Sequence, residues 1–242
     1  MRHIRHTGTI PCMQRQKNHV IRHFRRAAPL IHQELARMEW ELLSPTEKPA
    51  GYFRRLCREI ISQQLGSGAA RAITGRFMDL FPAAGPTPHL VRAISEKRLR
   101  AVGMSWAKAR SLRDLAARAE AGDIAFKKFS RADDEEIVPE LVRVKGIGRW
   151  TAEMFLIFTL GREDVFSHGD LSLQKGLARL YGKGRLRSKK QIVKLVASWS
   201  PYRSYASLAL WSVMDPIRSQ TPSTSADSTK SDRTSNGVDT KS

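Results

Sequence analysis

Apolar side chains recur at three- and four-residue intervals through most of this chain, and Gly or Pro cuts the pattern after every few turns. From Pro29 the stripe Leu30, Leu35, Met38, Leu42, Leu43 predicts a helix, with Pro45 and Pro49 marking a linker. Phe53, Leu56, Ile60, Ile61 and Leu65 make a second stripe. Ala69, Ala70, Ile73, Phe77 and Leu80 make a third beyond the Gly66, Ser67, Gly68 break. Ser95 reads as an N-cap, as does Ser105 for a long helix that Gly122 stops. Helices are then predicted from Asp133 to Val144, from about Gly148 or Arg149, and over Ser172–Leu180, Lys189–Val196 and Tyr202–Met214. No set of alternating segments predicts a sheet, so the fold class is all-α.

Charge restricts the partners. The 242 residues carry 42 Lys and Arg against 23 Asp and Glu, a net charge of +19. Residues 1–28 hold seven basic side chains and no acid, which reads as a flexible basic arm serving either targeting or DNA contact. Residues 217–242 are rich in Ser and Thr, nearly free of large apolar groups, and are expected to be disordered. A basic excess persists in the folding unit, residues 29–216, and a phosphate backbone is its natural partner, although an anionic membrane would use the same charge. The chain has no apolar run near the roughly 18–20 residues that cross a bilayer and no secretory leader pattern, so an intracellular protein is expected. Cys12 and Cys57 cannot supply a four-thiolate metal site.

The sharpest local feature is Val144, Lys145, Gly146, Ile147, Gly148, set between two predicted helices. Two glycines permit a tight turn and a close external approach, and the helix beginning at Arg149 offers free N–H groups to an anion. Alone, Gly-Ile-Gly is an ordinary turn. Bracketed by Lys145 and Arg149 in a basic domain, it reads as a phosphate site, with Ile147 sealing the turn.

The stretch Leu141–Gly182 resembles the helix-hairpin-helix (HhH-GPD) DNA glycosylases, specifically the DNA-3-methyladenine glycosylase II type. The resemblance extends to Arg58–Ile73, Ala101–Ala116 and Tyr202–Trp211, covering about Ala50 to Met214 and neither tail. It implies a two-lobed helical fold with an interdomain cleft that receives a flipped nucleotide from double-stranded DNA. The hairpin residues Lys145, Gly146, Ile147, Gly148 and Arg149 would grip a strand. Asp170 falls at the catalytic position, Gln64 and Leu65 at the intercalating wedge, and Trp150 and Trp211 near the base pocket; by residue type, Met154 and Tyr205 are further pocket candidates. A structural K+ or Na+ at the carbonyls of Val144 and Gly146 also belongs to that expectation, whereas an iron-sulfur cluster does not, and a monomer is expected.

The sequence departs from its relatives in three places. His168, Gly169, Asp170 stands where the family has Val, Asp, Asp, so only the second acid is kept. Gly66, Ser67, Gly68 replaces a small polar pattern after the wedge. Trp150 occupies the position of the lysine in strand-cutting relatives, so lyase activity is not expected.

The bland readings stand beside these. Asp170 could simply cap the next helix, Leu65 could end its stripe, and the tryptophans could be core. Of the two glutamines, Gln64 is favoured over Gln63 as the contact to an orphaned base because it adjoins Leu65. The implied activity is hydrolysis of the N-glycosidic bond of alkylated purines, the first step of base excision repair. The alternatives are a glycosylase of other base specificity and a noncatalytic protein that binds damaged DNA.

Overall fold

The computed structural model describes residues 10–185 and 188–214. Its helices are α1 (Ile10–Ala27), α2 (Pro29–Arg37), α3 (Pro49–Ser62), α4 (Ser67–Met78), α5 (Pro88–Ala93), α6 (Glu96–Ala101), α7 (Trp106–Ala121), α8 (Asp134–Val142), α9 (Arg149–Phe158), α10 (Leu171–Tyr181), α11 (Lys189–Ala197) and α12 (Arg203–Met214). A 3-10 turn at Phe126–Lys128 separates α7 from α8, and the described residues contain no strand. Boundaries follow local chemistry. Thr87, Ser95, Ser105 and Ser188 each accept a backbone N–H at the start of their helix, and Gly122 closes α7 in the left-handed region.

Two hydrophobic clusters divide the molecule into lobes. The middle of the chain, α3 to α9, builds one around Phe53, Leu56, Ile60, Phe77, Leu112, Leu141 and Phe155. The other joins the first and last described segments, with Phe24, Ile31 and Leu35 packed among Leu173, Leu177, Trp199, Tyr205 and Leu210. Leu43 and Trp211 touch both clusters. Loop 159–170 carries the chain from one lobe to the other. Asp164 on this loop accepts from the Nε and Nη2 of Arg203 at 2.7 and 3.0 Å, and from Ser200 Oγ at 2.7 Å.

Two expectations are corrected. The flexible arm placed at residues 1–28 is, from residue 10 onward, helix α1 and the turn into α2. Val20, Phe24 and Ala28 are buried, Gln16 donates to Glu163, and Lys17 Nζ donates to the Trp40 carbonyl while lying 4.6 Å from its ring. The helix predicted through Leu43 ends at Arg37. There the Trp40 indole folds back to donate to the Leu35 carbonyl, occupying an acceptor that the next helical turn would need. The Ser/Thr-rich tail expected at 217–242 lies outside the described residues. No described helix is long and apolar enough to cross a membrane.

Candidate DNA-binding and catalytic site

Helices α8 and α9 are joined by the Gly-containing turn, held at both ends by side chains from elsewhere. Gly146 has φ +82°, and a Cβ there would collide with Ser111 Oγ on α7, so a side chain is excluded by conformation and by space. Ile147 is buried beneath the turn. Lys145 N–H donates to Asp114 Oδ2 at 2.8 Å, and Arg118 Nε donates to the same oxygen at 3.1 Å. Burial works to raise the Asp114 pKa, but these hydrogen bonds and the charges of Arg118 and Lys145 outweigh it and hold the carboxyl below its ordinary value.

Gly148 is the N-cap of α9, no side chain caps the helix, and the space around Gly148 is open. The start of α9 is therefore left without a side-chain cap and with open space beside it, the arrangement in which a helix N-terminus can accept an anion. The Lys145 side chain is exposed, as a phosphate contact requires. Arg149 is drawn the other way: its Nε donates to Glu153 at 2.9 Å, with Glu135 3.8 Å from its Nη2. Its guanidinium sits among carboxylates, and an incoming phosphate would have to compete for it.

The segment expected to act as the wedge lies against this turn. Helix α3 ends at Ser62, and Gln64 takes φ +55°, which turns the chain so that Gln64 and Leu65 are exposed. Gln63, the less favoured glutamine in the sequence, reaches back: its amide donates to the Gly146 carbonyl at 3.0 Å and to Thr151 Oγ1 at 3.2 Å. It anchors the wedge to the hairpin and leaves Gln64 as the outward glutamine. Lys108 on α7 donates through Nζ to the carbonyls of Ile61 and Gln63 at 2.8 and 2.7 Å, closing the end of α3. Nothing in the local sequence around Lys108 pointed to that role.

Asp170 sits across the lobe boundary from the hairpin, as the N-cap of α10. Its Oδ1 accepts from Leu173 N–H at 2.8 Å, and its Oδ2 accepts from the Trp150 indole Nε1 at 2.7 Å. Capping and a functional role are thus compatible, because each oxygen has a separate task. Asp170 is 6% exposed while Trp150, which covers it, is 48% exposed. The indole lies between the carboxylate and solvent. His168 packs edge-on to Phe166, its burial pushes its pKa down, and the nearby Glu153 partly opposes that shift.

Along α9, Trp150, Met154 and Phe158 stand at four-residue spacing and form one stripe. Both ends of it meet the other lobe, Trp150 at Asp170 and Phe158 at Trp211, whose rings are 5.7 Å apart. The stripe, with Trp211 opposite, forms an apolar and aromatic wall beside Asp170. Phe158 was missed in the sequence, although its spacing from Trp150 and Met154 was the available signal. Tyr205, expected in the base pocket, is corrected to core: it is fully buried against Trp40, donates to Glu163 Oε1 at 2.5 Å and accepts from Leu43 N–H at 3.1 Å. Burial, reinforced by Glu163, pushes its phenol pKa far above the usual value.

The family described as HhH-GPD superfamily base excision DNA repair protein matches residues 57–201. DNA-3-methyladenine glycosylase 1 of Schizosaccharomyces pombe is 37% identical over 161 residues, 66% of this chain and 71% of that protein. Among solved structures, a DNA-3-methyladenine glycosidase from Bacillus halodurans superposes with a TM-score of 0.73 at 32% identity, covering 83% of this chain and 91% of that one. The S. pombe 3-methyladenine DNA glycosylase in complex with abasic DNA gives 0.68 at 30% identity, covering 80% of this chain and 95% of that one.

Proposed function

The chain belongs to the HhH-GPD superfamily of base excision DNA repair proteins, and from that premise we propose that it is a monofunctional DNA glycosylase that removes alkylated purines from duplex DNA. Such work places it in a DNA-containing compartment of the cell. The observation that carries the reading is the pairing of Asp170 with Trp150 across the lobe boundary, at the end of α9 where the free N–H groups emerge. A phosphate held at Lys145–Gly148 brings the strand to this boundary, and Leu65 fills the gap that an extruded nucleotide leaves.

The flipped base lies along Trp150, Met154, Phe158 and Trp211. A flat cationic purine gains there from stacking and cation–π attraction. As the Trp150 indole swings from the carboxylate to the base, Oδ2 of Asp170 is freed to face the sugar while Oδ1 stays anchored at α10. As the C–N bond breaks, positive charge builds on the deoxyribose, and this carboxylate stabilises it and orients a water molecule for attack. The alkylated base departs with the bonding electrons and is already cationic, so it needs no strong acid. Hydrolysis leaves a free base and an abasic site. Trp150 has no amine to form an imine, consistent with a product left uncut.

A monovalent cation at the hairpin remains part of the proposal. The Val144 carbonyl accepts from Ile147 N–H and the Gly146 carbonyl from Gln63, and each retains a second lone pair that a cation could share with a phosphate.

The test is base release from methylated duplex DNA. Asp170→Asn keeps an acceptor for Leu173 N–H but loses the negative charge, and is expected to cut the single-turnover rate by about 10²–10⁴-fold with the fold intact. Equal release by parent and variant would remove Asp170 from catalysis. Tight binding to damaged duplex with no release by either would favour the noncatalytic reading.

A further inference from the structure

We propose that the outer face of α1, a helix outside the residues 57–201 that match the family, forms a second phosphate-backbone binding groove separate from the hairpin. It rests on the reading of DNA as the partner but uses no residue of the catalytic site. His19, Arg22, His23, Arg25 and Arg26 line a groove of about 520 Å³, closed on its other side by Pro201 and Tyr202. Residues 19, 22, 23 and 26 stand at three- and four-residue spacing and so form one stripe, while Val20 and Phe24 are buried on the helix's other side.

Three features mark this stripe as a binding surface rather than a merely solvated face. First, it is unneutralised: α1 contains no acid, and Arg22, Arg25 and Arg26 form no ion pair among the described residues. Of the acids of the adjoining loop, Glu163 meets α1 only at Gln16, on the turn before the arginines, and is otherwise taken by Tyr205, while Asp164 is engaged by Arg203 and Ser200. Second, the helix is fixed by its buried side and by Lys17 on Trp40, so the arginines are displayed from a rigid base. Third, the groove has a fixed wall: the His23 ring packs edge-on against the rings of Phe24 and Tyr202, at centroid distances of 5.2 and 5.3 Å.

The chemistry favours phosphate oxygens. Arginine forks match phosphate, and the stripe from 19 to 26 rises about 10 Å along the helix, roughly three steps of one DNA strand at about 3.4 Å of axis each. A groove displaying only cationic and neutral donors has no feature that would select a single small anion over a chain of them.

The experiment titrates the 242-residue chain with a fluorescent undamaged duplex over a salt series. The variant Arg22→Gln/Arg25→Gln/Arg26→Gln removes exposed charges and no ion pair. Its affinity is expected to fall about tenfold or more near physiological salt, with the slope of log K against log salt shallower by about 2–3, at about 0.9 for each phosphate no longer neutralised. The corresponding triple lysine variant should keep the slope. Single-turnover base release at saturating enzyme should stay within about twofold of wild type, so the groove is separable from catalysis. If wild type binds but releases no base, the enzyme reading fails while the salt slopes still decide the groove.

Unchanged affinity and slope in the glutamine variant overturn the proposal. So does calorimetric binding of inorganic phosphate, at matched ionic strength, that is abolished in the variant while its DNA slope is unaltered, because the occupant would then be a free anion. Loss of polyglutamate binding with unaltered DNA binding would likewise overturn it and assign the groove to an acidic protein segment.

Discussion

At the scale of single residues, the hairpin and the lobe junction rest on groups with no spare freedom. Gly146 combines positive φ with contact against Ser111, so Gly146→Ala meets two separate costs, backbone strain of about 1–2 kcal/mol and a steric clash. The variant is expected to lose at least about 1 kcal/mol in denaturant unfolding and to bind damaged and undamaged duplexes less well. Adding Ser111→Gly should recover only the steric part, so complete recovery would show that the φ strain is absent. Asp164 works differently. Burial raises its pKa, but hydrogen bonds from Arg203 and Ser200 and the Arg203 charge prevail and hold it below the ordinary carboxylate value. Its stabilising contribution is therefore complete above the unfolded-state pKa of about 3.9 and is lost as pH falls through the lower folded value. Asp164→Asn should cost about 1.5–3 kcal/mol near neutrality, and the gap to wild type should narrow below about pH 4. A gap independent of pH, measured by unfolding at several pH values, would deny the Arg203 pairing this role.

At the scale of elements, the loop that carries Gln64 and Leu65 depends on where α3 ends, and Lys108 is one of the groups that hold that end. Its ammonium holds the Ile61 and Gln63 carbonyls, and burial there pushes its pKa down. Lys108→Met keeps much of the aliphatic stem and removes both bonds, leaving Gln64 and Leu65 on a frayed terminus. Base release should fall about tenfold, while affinity for undamaged duplex, dominated by phosphate contacts, should change less than about threefold. An equal fall in both would mean that Lys108 acts as a general DNA-binding charge. Sequence periodicity located α3, α7, α9 and α12 because their buried faces repeat strongly. It could not locate the Lys108, Gln63 and Trp150 contacts, which join residues 45, 83 and 20 positions apart and follow no helical period. Tyr205 was misplaced for the same reason: its aromatic type suited a pocket, but its partners Leu43 and Glu163 come from distant segments.

At the scale of the whole molecule, the first and last described segments meet: α1 and α2 complete the lobe formed by α10, α11 and α12, which in turn carries Asp170. The sequence concealed this because α1 offers few large apolar residues among many cations, and charge density alone suggested an arm. Phe24 is fully buried and packs in the same cluster as Ile31, Trp199 and Tyr205. Phe24→Ala leaves a cavity in that lobe, and such truncations cost about 3–5 kcal/mol, a large share of the roughly 5–15 kcal/mol available to a folded domain. Unfolding midpoints in urea should drop accordingly, and removal of residues 1–27 should destabilise at least as much. The glycosylase activity of either variant should decline with the folded fraction as temperature rises, since α2 and α12 lose their backing before the hairpin lobe does. A truncated protein that melts with wild type and keeps its activity would show that α1 is dispensable to the lobe, and that the cations on its outer face sit on an appendage.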